Sequence, residues 1–286
     1  AAYSSASDPN PSRTLTGASN QGGRGTAPLV SRRTNAAYRR VVRLSVESDR
    51  PPYAGARSPQ GMDARMTPLA WMIVALVVSF VGAEAARRWL QGRGYRRDDE
   101  QDHRILGLGW FVPTAVVVGT LVAAGVHART GSLVAGGIYL AAGMVLTVLA
   151  AIDLDVHRLP DAIQLPAYPI LLAGLALASW SVGDWGSLVR AALGGAIGFA
   201  FFLVLALVGS GMGFGDVKLA GLLGLLLGWL GWPHLFYGLA AGIVLGGVLG
   251  AALLATRRAT RTSDFAYGPP LIAGALAVMA AASFVR

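Results

Sequence analysis

The twenty residues Leu133–Ile152, LVAGGIYLAAGMVLTVLAAI, contain no charged side chain and are followed at once by Asp153. A run of this length and polarity matches the roughly 20 apolar residues that an α-helix needs to cross the hydrocarbon core of a bilayer. Inside a bilayer every backbone N–H and C=O must be satisfied within the structure, which a helix does and an isolated strand does not. The run reads as a membrane helix whose last residue meets the membrane boundary. Seven more runs repeat the pattern, separated by short polar gaps: Pro68–Ala86, Trp110–Val126, Ile163–Val182, Leu188–Gly209, Leu219–Trp232, Leu235–Ala255 and Pro269–Val285. The fold class that follows is all-α, a polytopic transmembrane helical bundle of about eight spans. Leu219–Trp232 falls short of the length criterion, which predicts a tilted or partly re-entrant segment.

Composition agrees. The chain of 286 residues is 54% hydrophobic and 14% charged, with mean hydropathy +0.53, too apolar for an ordinary soluble domain. Its formal charge of +9 does not point to nucleic acid. Residues 1–61 contribute +6 of it, from nine scattered Arg against Asp8, Glu47 and Asp49, and of the 24 basic residues a single one, Lys218, is Lys. With no Cys, disulfides, thiolate zinc sites and a Cys nucleophile are all excluded. His103, His127 and His234 stand singly and suggest no metal, so neither a metal nor a cofactor is expected.

Three regions emerge. Residues 1–61, rich in Ser, Pro, Gly and Arg without apolar periodicity, are expected to be a disordered basic tail. Because Met62 and Met66 precede the first apolar run, the tail is either native or a translated upstream stretch. Residues 62–129 hold the N-terminal membrane spans and a cytoplasmic loop. Residues 130–286 form the region in which the chemistry is sought.

Orientation follows from the excess of Arg and Lys in cytoplasmic loops. Placing loops 87–109, 153–162, 210–218 and 256–268 inside gives eleven such residues there, against Arg65, Arg129, Arg190 and Arg286 outside. The segments around Asp153 and Asp216 then share the cytoplasmic face.

From residue 150 onward the acidic residues are Asp153, Asp155, Asp161, Asp184, Asp216 and Asp264. Carboxylates at membrane-helix ends are functional candidates, because they are costly unless they meet water or a polar partner. Asp184 and Asp264 lie in polar gaps and read as solvated. Asp153 directly follows an apolar run, and Asp216 follows Gly213-Phe214-Gly215, where glycines permit a tight turn or close approach. Two carboxylates brought together from separate helices can share one proton, so that one polarises a carbonyl while the other activates water.

These residues also carry a resemblance. The segment Asp153-Leu154-Asp155-Val156-His157-Arg158-Leu159-Pro160-Asp161, with Pro166 beyond it, resembles the first signature of the bacterial type IV prepilin (leader) peptidases. Gly213-Phe214-Gly215-Asp216-Val217-Lys218 resembles their Gly-x-Gly-Asp-x-Lys motif, and Phe265-Ala266-Tyr267-Gly268-Pro269-Pro270 is similar to the stretch that opens their last helix. The resemblance covers roughly residues 130–285. It implies a membrane aspartic endopeptidase of the inner (plasma) membrane, with its active site facing the cytoplasm and Asp153 and Asp216 as the catalytic pair. Asp155 rivals Asp153, being two positions on. Gly213, Gly215, Lys218, Pro160 and Asp161 are the implied supporting or substrate-binding residues. Asp161 is expected to shape the turn or cap the next helix, and Lys218 either to tune the acids or to snorkel.

The implied partners are prepilin or pseudopilin precursors, with a short basic leader, a Gly at the cleavage point and a hydrophobic helix after it, together with membrane lipid. Larger family members carry a Cys-containing cytoplasmic domain and N-methylate the new terminus. Here loop 87–109 is short and lacks Cys, so methyltransferase activity is not expected. The alternative function is a small proton- or cation-coupled transporter, which predicts acids in mid-span and an internal repeat. Neither is found.

Overall fold

The computed structural model describes residues 68–92, 94–97, 107–208, 212–256 and 266–285. Among them are eight α-helices and no strand: α1 Pro68–Gln91, α2 Phe111–Thr130, α3 Leu133–Val156, α4 Asp161–Val182, α5 Trp185–Leu207, α6 Phe214–Leu230, α7 Trp232–Ala255 and α8 Gly268–Ala280, with a 3₁₀ turn, Leu108–Trp110, leading into α2. Each of the eight apolar runs corresponds to one helix. Six of them, α1 to α5 and α7, are long and apolar enough to cross a membrane. The reading of residues 1–61 as disordered lies outside the described residues, as do Asp264 and Phe265.

The short sixth run has a packing explanation. Every residue of α6 from Leu219 to Leu230 is buried, and α6 packs against α4, α5, α7 and α8. A helix that is apolar all round belongs in an interior. At 17 residues α6 is shorter than α4, α5 and α7, of 22, 23 and 24 residues, and neighbouring helices cover its sides. The closest approach is to α5, where a Cβ on Gly198 would stand 2.6 Å from the Ala220 carbonyl oxygen, and one on Gly228 would stand 2.7 Å from that of Arg190. Small residues let two membrane helices approach to backbone contact, which replaces the hydrophobic drive that is absent in lipid. Large apolar side chains on the outer faces, such as Val77 on α1, Val204 on α5 and Val244 on α7, are exposed, as a lipid-facing surface requires.

Polar ties fix α6 further. The Tyr139 hydroxyl of α3 donates to the Leu226 carbonyl at 2.6 Å, and the Trp229 indole N–H donates to Ser179 Oγ of α4 at 2.8 Å. At the C-terminal end of α6, Arg129 donates to the carbonyls of Leu230 at 3.1 Å and, beyond α8, of Ala282 at 3.1 Å and Val285 at 2.9 Å. A cation there satisfies carbonyls that have no helical partner and complements the helix dipole. With its far end held in this way, α6 presents its N-terminal turn, which contains Asp216, in a fixed position.

Candidate active site

Asp153 lies in the last turn of α3, and Asp216 in the first turn of α6. Both side chains are almost fully buried from outside, at 3% and 8% exposure, yet both line one cavity of about 420 Å³. The walls come from Leu159, Pro160 and Asp161 of the α3–α4 turn, from Gly213, Phe214, Gly215 and Lys218, and from Arg97, His157 and Arg158. Neither carboxylate makes an ion pair among the described residues. Asp153 instead accepts the backbone N–H of Gly268, the first residue of α8, at 3.1 Å on Oδ2. A helix N-terminus offers free N–H groups and partial positive charge to an anion.

The local sequence explains how α3 stops beside Asp153. His157, the C-cap of α3, adopts the left-handed conformation at φ 51°, and its N–H returns to the Asp153 carbonyl at 2.9 Å. Pro160, extended at ψ 126°, then precedes Asp161 as the first residue of α4. The chain thus reverses within four residues and closes one side of the cavity. On the other side, the Asp216 N–H donates to the Gly213 carbonyl at 3.0 Å. Gly215 packs closely on the α3–α4 turn, since a Cβ there would lie 3.2 Å from Leu159 Cβ, a tight contact. Its carbonyl accepts from Gln164 Nε2 at 3.1 Å, tying the Gly-Phe-Gly-Asp turn to α4.

The two acids nearest in sequence are engaged elsewhere. Asp155 accepts from Arg96 Nη2 at 2.7 Å on Oδ1, from Arg96 Nε at 2.9 Å on Oδ2, and from the Tyr95 hydroxyl at 2.7 Å. The side chains of this ion pair are 0% and 3% exposed. Burial, followed by the hydrogen bond to Asp155, pushes the Tyr95 phenol up to about 12, so it remains a donor near neutral pH. Arg158 reaches the same segment through the Tyr95 carbonyl at 2.9 Å. The N-cap of α4 is Pro160, which makes no side-chain capping bond, and Asp161 lies in the first turn; Asp161 accepts from Lys218 Nζ at 2.6 Å, and Nζ also sits 5.0 Å from the centre of the Phe214 ring. Asp184, read from sequence as a solvated loop residue, caps α5 by accepting from the Ser187 N–H at 3.2 Å.

Residues 140–251 contain Asp153, the turn after it and the Gly-Phe-Gly-Asp turn, and this is the stretch that compares positively with a known family. Residues 140–251 match the type IV leader peptidase family. Two curated proteins of Burkholderia pseudomallei, from strains 1026b and K96243, each called prepilin leader peptidase/N-methyltransferase, are 32% identical to this chain over 140 residues. That stretch is 47% of this chain and 43% of each relative, so the chain spans less than half the length of the curated relatives it matches. No solved structure matches. Tyr95, Arg96, Arg97 and Gly268 lie outside the leader-peptidase match but meet its residues at or beside the cavity. Sequence reasoning singled out none of these four. For Gly268 the signal was present, in the short stretch that opens the last helix.

Proposed function

We propose that this chain is a membrane-embedded aspartic endopeptidase that cleaves the leader peptide of prepilin-like precursors at the cytoplasmic membrane face, with Asp153 and Asp216 as the catalytic pair. The observation that carries the reading is that one cavity is lined by both carboxylates, each without an ion pair among the described residues. In such a site one carboxylate takes a proton from the attacking water, while the other, protonated, donates to the scissile carbonyl oxygen. The two titrate as a unit and share one proton. Asp155 is a poor candidate for the role because its carboxylate is already committed to Arg96 and Tyr95. Gly213 and Gly215 shape the turn before Asp216, Pro160 shapes the opposite wall, and the Asp161–Lys218 pair ties the two walls together.

The cytoplasmic placement rests on the Arg and Lys bias of the loops. The relatives' names include N-methyltransferase; the short, Cys-free 87–109 loop supports peptidase activity alone for this chain. Co-expression with prepilin-like precursors tests the reading. A shift of the precursor to the size expected after leader removal supports it, and persistent full-length precursor beside well-inserted enzyme overturns it.

A further inference from the structure

An apolar groove of about 470 Å³ runs between α3 and α4 with α6 as its floor. On α3 its lining includes Leu149, Leu146, Ala142 and Ile138. Counted back from Asp153 these are four, seven, eleven and fifteen residues, the spacing of a single helix face. Asp153 stands at the head of that stripe. The α6 lining, Leu222 and Leu226, continues the face of Lys218, and the α4 lining begins at Ala162, immediately after Asp161. Three elements that contribute walls to the catalytic cavity, α3, α4 and α6, therefore extend into the groove. From Ile138 to Asp153 the α3 face measures about 22 Å.

Resting on the peptidase reading, we propose that this groove seats the apolar membrane helix of the precursor, so that its cytoplasmic end delivers the scissile bond to Asp153 and Asp216. The occupant must be apolar and membrane-resident, because the groove is walled by spans and lined almost wholly by carbon. It is a helix, because Ala141 and Ala142 on α3 and Ala167 on α4 are small enough for close helix approach from both sides. Its walls from α3 and α6, the helices that carry Asp153 and Asp216, specify the precursor's own helix, since a segment lying along the α3 stripe leaves it one turn from Asp153. A second apolar groove, between α4 and α5, reaches Lys218 and Phe214 and, like the first, has neither carboxylate in its lining, but it has no wall from α3, the helix that carries Asp153. It provides the internal comparison.

The test places a photo-crosslinking side chain at Val145 or Ile170 in the first groove, or at Leu172 in the second. It uses the full Asp216→Asn chain in phosphatidylethanolamine/phosphatidylglycerol vesicles with a precursor, and the wild-type chain is assayed for cleavage in parallel. Val145 and Ile170 should yield adducts on the apolar helix of the precursor, and Leu172 should yield lipid adducts. Cleavage by the wild-type chain with lipid-only adducts at Val145 and Ile170 overturns the groove and leaves the peptidase reading standing. Absence of wild-type cleavage overturns both. Independently, Ala142→Trp, which narrows the groove away from the carboxylates, should raise KM for the precursor about tenfold with little change in kcat, the pattern of lost uniform binding. An unchanged KM in a well-inserted variant contradicts the proposal.

Discussion

Gly268 donates its N–H to Asp153 Oδ2 at 3.1 Å, and a Cβ built on Gly268 would stand 2.7 Å from that same oxygen. The start of α8 is thus both a hydrogen-bond donor to the carboxylate and a wall that leaves no room for a methyl group. Gly268→Ala should push the Asp153 carboxylate off its position, and misplacement by about 1 Å can lower turnover on the order of a hundredfold. Cleavage kinetics of the inserted variant check this. Wild-type kcat would show that the Gly268 contact does not position Asp153.

The buried Arg96–Asp155 pair predicts loss of stability on removing one partner. Asp155→Asn and Arg96→Met each leave a buried group uncompensated, and breaking such a pair costs about 3 kcal/mol or more. Joint replacement by Met and Leu should recover much of that. Thermal unfolding in detergent reads both. The chemistry itself should survive in Asp155→Asn wherever the protein remains folded, and a fully stable but inactive Asp155→Asn would transfer the catalytic role to Asp155.

At the α5–α6 contact, Gly198→Leu should force the helices apart. Overpacking of this kind costs about 1–3 kcal/mol, and it should reduce cleavage as well, because α6 carries Asp216. Gly247 on α7, where a Cβ would meet nothing within 4 Å, should accept Ala with unchanged stability. Equal tolerance at the two positions would contradict the backbone packing described for α5 and α6.

The Lys218–Asp161 pair is partly exposed, at 15% and 58%, and pairs of this kind contribute about 0.2–1 kcal/mol. Lys218→Met and Asp161→Asn should therefore change stability little. If Lys218 works through Asp161, the double variant should cleave no worse than Lys218→Met alone. A further loss in the double variant would mean that the two side chains act separately.

The eight helices were legible as apolar runs, six of them because they meet the length and polarity that a bilayer imposes. α6 was legible as apolar but not as central, since burial by neighbouring helices and burial in lipid leave the same signature in a sequence. Asp153 and Asp216 stood out because charges are scarce at helix ends. Whether Asp153 or Asp155 faced the cavity was not legible. Two residues in the last turn of one helix point to different sides, and the deciding partners, Tyr95 and Arg96, lie some sixty positions away. Lys218 was legible as special through its uniqueness, yet its partner Asp161 is set by the reversal at Pro160, which a linear reading does not bring close. The α3 groove, with no polar signal of its own, appears only once α3, α4 and α6 are assembled.

The central claim is that hydrolysis needs Asp153 and Asp216 together. Asp→Asn at either position preserves size and hydrogen bonding but removes the titrating group. Cleavage of a co-expressed precursor should therefore be lost in each well-inserted variant, and the double variant should be no worse than either single, because residues acting as a unit are non-additive. Substantial cleavage by well-expressed Asp216→Asn would contradict the account.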